Sequence, residues 1–186
     1  MKKERYFSSI IPILKEEGLG LSMDAVAMKI GVTKKTLYNV FASKDKMIEE
    51  CLEVVSNEFK ESLRCMDDES LPVVERFERG IVTLRLYFKG MSHAFMRDLM
   101  VDYPQMASLD HTAGRSYFQD KIARNIEVGQ EEGVYNQDLD PGLFARYISF
   151  SIFSFFQKEI MMGNAYSADY YFEQVIKFNK NALLNR

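Results

Sequence analysis

Between residues 33 and 44 the chain sets out Thr33, Lys34, Lys35, Thr36, Tyr38, Asn39 and Lys44. Ammonium groups, hydroxyls and a carboxamide are the donors that grip phosphate oxygens and read base edges. Their spacing suits them to that work. Thr33 is an N-cap residue by type, so Lys34, Lys35 and Thr36 fall in the first turn of the helix that follows. There the backbone offers unpaired N–H groups and the positive end of the helix dipole, a natural seat for a phosphate or a base-edge acceptor. Lys44 stands directly after Ser43, a second cap, and puts a cation beside the amides of the next helix, where a second phosphate could be held.

Other chemistry is poorly represented. No nucleophile elbow, phosphate loop or metalloprotease pattern is present, so no enzyme is expected. The two histidines, His93 and His111, are 18 residues apart with no acids clustered at ligand spacing, so neither a metal nor another cofactor is expected. Methionines and aromatics gather between residues 87 and 118. Such side chains line adaptable apolar pockets, although at helical spacing they also build plain core. Tyr87, His93, Met96, Met100, Tyr103 and Tyr117 are the candidates for an effector pocket, with His93 and Asp98 able to orient a polar group.

The elements that must position the basic cluster are short helices. Ser22 caps one whose Met23, Val26, Ala27 and Ile30 repeat at i, i+3, i+4 and i+7. Gly31 then allows a sharp turn, and Leu37 and Phe41 form the inward pair of the second helix. Two helices joined by a glycine turn, the second opening on cations and hydroxyls, make a helix-turn-helix. A helix over residues 3–17 precedes it, with Phe7, Ile10, Ile11 and Leu14 inward and Gly18 as its stop. Pro12 interrupts that helix at a cost of about 3 kcal/mol in an unsupported helix, which predicts a kink or an opened turn.

Residues 18–48 resemble the DNA-binding segment of the tetracycline-repressor-like (TetR) family of bacterial transcription regulators. The resemblance rests on Gly18, Ser22, Val26-Ala27, Ile30-Gly31-Val32-Thr33, Thr36-Leu37-Tyr38, Phe41 and Ser43-Lys44-Asp45. Lys35, Val40 and Pro12 depart from the family pattern. It implies that Thr33, Lys34, Lys35 and Thr36 enter the major groove and that Tyr38 meets backbone phosphate, with Asn39 in reach of either. A weaker echo, Glu132-Gly133 followed by Asp138-Leu139-Asp140-Pro141, resembles the loop before the family's last two helices.

Charge divides accordingly. Residues 1–48 hold nine Lys/Arg against five Asp/Glu, a balance of +4; the remainder holds fifteen against twenty-two, or −7. A basic head on an acidic body is what a small nucleic-acid-binding segment predicts. Residues 1–48 are therefore expected to be the DNA-binding domain and residues 49–186 the effector-binding and dimerisation domain. The boundary falls inside a long helix over residues 43–64.

The body reads as helical throughout: about 71–89, 92–101, 105–132, 143–162 and 168–184, giving an all-α chain of about nine helices. The helix over 143–162 is apolar almost all round, so it needs partners on both sides. With Ser149, Ser151 and Ser154 permitting close approach, a two-fold four-helix interface between copies is expected, and the resemblance implies the same. Ile148, Ser151, Ile152, Phe155, Phe172 and Val175 are its candidate residues. No apolar run approaches a membrane span, the first residues lack the core of a secretion signal, and two cysteines inside helical patterns suit a reduced compartment. The expectation is a cytoplasmic, homodimeric regulator on a palindromic double-stranded operator, a repressor released by a small apolar or amphipathic effector. The alternatives are a helical protein-interaction module and a regulator with no effector.

Overall fold

The computed structural model describes residues 3–104, 113–162 and 166–184. Among them the chain forms nine α-helices and a 3-10 turn: α1 Glu4–Glu17, α2 Met23–Lys29, α3 Lys34–Val40, α4 Lys44–Ser62, the 3-10 turn Leu63–Asp67, α5 Val73–Lys89, α6 His93–Asp102, α7 Ala113–Glu131, α8 Pro141–Met162 and α9 Ala168–Leu183. The all-α reading holds. Residues 105–112, expected to open the seventh helix, lie outside the described residues. The α-helical part of α4 stops at Ser62, two residues before the expected end, and continues as the 3-10 turn.

Two compact units share these elements: Met1–Glu58 with Lys89–Thr112, and Phe59–Phe88 with Ala113–Arg186. The division falls within α4. In the first unit, Ile10 and Leu14 of α1, Val26 and Ala27 of α2, Leu37 of α3 and Met47, Ile48 and Cys51 of α4 are all at most 2% exposed. Phe41 closes this core, with the rings of Tyr6 and Phe7 at 6.4 and 5.9 Å. Burial also pushes the Cys51 thiol up to about 12, so it stays protonated and inert. Pro12 does not end α1, which runs α-helical through it. Its ring is exposed, where a missing N–H costs least.

The second unit packs the 3-10 turn, α5 and α7–α9. Phe77, Ile81 and Leu84 of α5, Phe118, Ile122 and Ile126 of α7 and Ile148 and Ile152 of α8 are fully buried. Polar ties fix the ends. The Asn125 carboxamide donates to the carbonyl of Val73 at 3.0 Å, and Tyr135 donates to Asn125 Oδ1 at 3.3 Å. The amide of Asn136 donates to the carbonyl of Leu183 at 2.7 Å, which pins the loop before α8 to the end of α9.

Tyr135 fits because residue 129 has no side chain: a Cβ there would overlap the tyrosine ring. Gly129→Ala is expected to lower stability by about 2 kcal/mol, the usual scale of overpacking a filled core, read as a shifted urea midpoint at constant slope.

Candidate nucleic-acid interface

The basic cluster is assembled by two caps and one left-handed turn. Ser22 accepts from the amide of Ala25 at 3.2 Å and starts α2; Thr33 accepts from the amide of Thr36 at 3.1 Å and starts α3. Between them Gly31 sits at φ +72°, a backbone state that L side chains rarely adopt. The amide of Val32 returns to the carbonyl of Ala27 at 2.9 Å and fixes the turn. With Leu37 fully buried, the rest of α3 is oriented: Lys35, Tyr38 and Asn39 are exposed.

Each candidate has a definite position. Lys35 makes no ion pair among the described residues. Lys34 pairs with Asp24 of α2 at 2.6 Å, and that carboxylate raises its pKa. Both side chains are more than half exposed, so water screens the pair and a phosphate can compete for the lysine. The Thr36 hydroxyl is 2.8 Å from that of Thr33, which holds both at the head of α3. Tyr38 is 45% exposed, with its hydroxyl available for a phosphate.

Lys44 has more than the expected duty. It follows the Ser43 cap, which accepts from the amide of Lys46 at 3.1 Å. Its ammonium donates to the carbonyl of Gly20 at 3.0 Å, so it binds the turn between α1 and α2. An ammonium has three protons, and two remain for a phosphate.

Helix α6 supplies what the sequence reading missed. Asp98 Oδ2 accepts from the amides of Leu19 and Gly20 at 2.9 and 3.1 Å, while Oδ1 accepts from Arg97 at 2.7 Å. Its carboxylate is therefore occupied with the α1–α2 turn rather than free to orient a ligand. The amide of Ser92 donates to the carbonyl of Lys15 at 2.8 Å, one of the terminal carbonyls of α1 that no turn of its own helix can satisfy. Tyr103 is buried and donates to Asp45 of α4 at 3.1 Å; desolvation and that carboxylate push its pKa up to about 12. Gly18 belongs to the same device: it sits at φ +96°, and a Cβ there would lie 2.5 Å from Asp98 Oδ2. An acid three residues after Phe95, on the inward side of α6, was the one available signal.

The effector candidates are distributed. His93, Met96, Met100 and Tyr103 belong to the first unit; Tyr87 and Tyr117 belong to the second. His93 is exposed at the start of α6, and Met96 and Met100 are half-buried. Tyr87 packs on Phe59 at 4.7 Å, and Lys121 lies over the Tyr117 ring at 5.1 Å. No three His, Cys, Asp or Glu side chains gather into a metal-sized group among the described residues.

The dimer candidates require a correction. Ile148, Ile152, Phe155, Phe172 and Val175 are 0, 0, 9, 1 and 7% exposed within a single chain, so they are core. Ser151 is half-buried and hydrogen-bonds to Tyr171 at 2.6 Å. An α8 apolar on every side left its outward face undefined, and α9 took the face chosen from the pattern. Among the described residues of α8 and α9, the large apolar side chains left outside are Leu143, Tyr147 and Phe150 of α8, at 61–68% exposure, and Tyr170 and Phe178 of α9. No described helix is long and apolar enough to cross a membrane.

Comparison with known proteins agrees with this geometry. Residues 13–51 match the family described as bacterial regulatory proteins, tetR family. The chain is 22% identical over 175 residues to an uncharacterized HTH-type transcriptional regulator, YvaF, of Bacillus subtilis, covering 93% of this chain and 90% of that protein. Its fold is similar to a transcriptional regulator from Cytophaga hutchinsonii (TM-score 0.79, 14% identity, 99% of both chains). It is also similar to the reduced form of E. coli NemR (TM-score 0.75, 15% identity, 100% of both chains). A third likeness is to SmeT, the repressor of the Stenotrophomonas maltophilia multidrug efflux pump SmeDEF (TM-score 0.74, 13% identity, 98% of this chain and 90% of that one).

Proposed function

For a chain that belongs to the TetR family of transcriptional regulators, we propose a homodimeric repressor that grips a palindromic operator and releases it when a small apolar or amphipathic effector binds. Residues 1–48 contact DNA, and residues 49–186 carry effector binding and dimerisation, in the cytoplasm. The observation that carries the reading is the orientation of α3: Leu37 faces inward while Lys35, Tyr38 and Asn39 stand in solvent beside the Thr33 cap.

Lys34, Lys35 and Thr36 address the major groove, and Tyr38 and Lys44 hold backbone phosphates on either side. Two copies joined through Leu143, Tyr147 and Phe150 with Tyr170 and Phe178 would place two α3 helices on successive major grooves, about 34 Å apart. An effector that prefers a conformation with another spacing must lower operator affinity by the same factor that the operator lowers effector affinity. Helix α4 is the transmitter of choice, because one continuous helix runs from the Ser43 cap across the division between the units.

The test is binding to the fragment upstream of the protein's own coding region against random DNA, over a salt series. Tyr38→Phe is expected to weaken both by a similar factor. Lys35→Ala should weaken the specific complex by about tenfold or more and relax its sequence preference, since a good bidentate base contact discriminates by about 1–3 kcal/mol. Absence of binding to either DNA at low salt refutes the regulator reading.

A further inference from the structure

The two ammoniums at the head of α3 are not presented alike. Lys35 makes no ion pair among the described residues, whereas Lys34 reaches back across the Gly31 turn to Asp24 Oδ2 at 2.6 Å. Other lysines of the first unit are also held by acids: Lys3 by Glu50, Lys29 by Glu17 and Lys46 by Glu49, at 2.7–3.2 Å. None of those three stands on α3. Among the described residues, Asp24 is therefore the acid that pairs with the recognition helix, and it does so from the first turn of α2. The helix dipole favours a carboxylate there. That accounts for an acid at residue 24, but not for its hold on another helix.

The pair is wet, with Lys34 and Asp24 at 53% and 63% exposure. An exposed pair shifts an equilibrium by about fivefold at most. In a helix-turn-helix the first helix crosses the DNA backbone while the second enters the major groove. Asp24 then lies on the phosphate side and Lys34 on the base side. On DNA of arbitrary sequence, moving Lys34 to a phosphate exchanges one anionic partner for another. It also strands the carboxylate beside a polyanion, so little is gained. On a matching base edge the balance reverses, because a good base contact discriminates by about fivefold to a hundredfold.

We propose that Asp24 is a specificity-determining residue: it withholds Lys34 from phosphates, so that this ammonium adds to operator affinity and not to affinity for DNA at large. The inference rests on the regulator reading and deepens it, by giving an acid a task at the DNA face.

A double-mutant cycle over a salt series tests it, with the full-length protein, a duplex selected by the wild type from a random pool, and a scrambled duplex of equal length. Asp24→Asn and Lys34→Gln are changes at exposed positions, so both variants and their combination should keep the wild-type circular dichroism. On scrambled DNA, Asp24→Asn is expected to raise affinity about fivefold at about 0.1 M salt. The slope of log affinity against log salt should steepen by about 0.9, the mark of one added phosphate contact. On the selected duplex the gain should be about threefold at most, the cost of parting an exposed pair, with less than half that change in slope. In the Lys34→Gln background the same substitution should lose most of its effect on both quantities. Equal steepening on the two duplexes, steepening that survives in the Lys34→Gln background, or no steepening at all overturns the proposal. A wild type that binds every duplex alike overturns it too. A wild type that binds no duplex at low salt instead fails the regulator reading beneath it, which is seen before any variant is made.

Discussion

Phe150→Arg is expected to give a folded monomer and to lower affinity for a two-half-site operator by about a hundredfold or more. The phenyl ring is 66% exposed on α8, in line with Leu143 and Tyr147 at i, i+4 and i+7. A stripe of large apolar side chains in water is an interaction surface by default, and an aromatic at its centre carries much of the binding energy. In the proposed dimer a guanidinium in that position would meet its own copy across the two-fold axis, so burial and repulsion would both oppose association. Two linked half-sites bind more tightly than one by about 10²–10⁴, and a monomer forfeits that factor. Sedimentation velocity and operator titration measure the two effects separately. Ile152→Arg is the contrast: a fully buried site on the same helix, where the charge should unfold the chain rather than split it. A Phe150→Arg protein that stays dimeric would remove this stripe from the interface.

Asp98→Ala carries the second large effect, a loss of roughly 2–4 kcal/mol of stability. The carboxylate is 8% exposed and serves the amides of Leu19 and Gly20 together with the Arg97 guanidinium. Hydrogen bonds to a charged group contribute more than neutral ones, and a donor left dry costs about 1–3 kcal/mol. Leu19 is 1% exposed, so its amide has no water to turn to; Gly20 is exposed and recovers part of its loss. Asp98→Asn keeps the shape and one oxygen acceptor, and should lose less. Urea midpoints rank the three proteins. Because Lys44 holds the carbonyl of the same Gly20, operator affinity should fall with stability in that order. An Asp98→Ala protein as stable as the wild type would show the clamp to be dispensable.

How far the chain could be read beforehand depends on the range of each interaction. Caps and turns are local, and Ser22, Gly31, Thr33 and Ser43 act where their types and positions indicate. Helical periodicity is equally local, so α1 to α6 could be placed to within a residue or two. The faces of α8 could not. Periodicity identifies an outward face by its polar residues, and Phe144, Tyr147, Ile148, Phe150 and Phe153 leave no such mark. Only the position of α9 shows that Phe155 stacks on Tyr171 at 3.9 Å while Phe150 remains outside. Lys34 and Lys44 looked alike as cations, yet one finds Asp24 ten residues away and the other a carbonyl twenty-four residues away. Asp98 was the least legible, since its partners lie 78 and 79 residues earlier.

That separation bears on how the protein is made. The carbonyl of Lys15 and the amides of Leu19 and Gly20 wait for Ser92 and Asp98. On the ribosome, the first three helices emerge well before α6 exists, and the turn that sets α2 has only its Lys44 tie until some eighty further residues have been synthesised. Closing so long a loop is slow compared with forming any one helix. The head that the sequence presents as an N-terminal module is therefore completed late, and a gene fragment ending near Glu58 encodes its surface without its keystone.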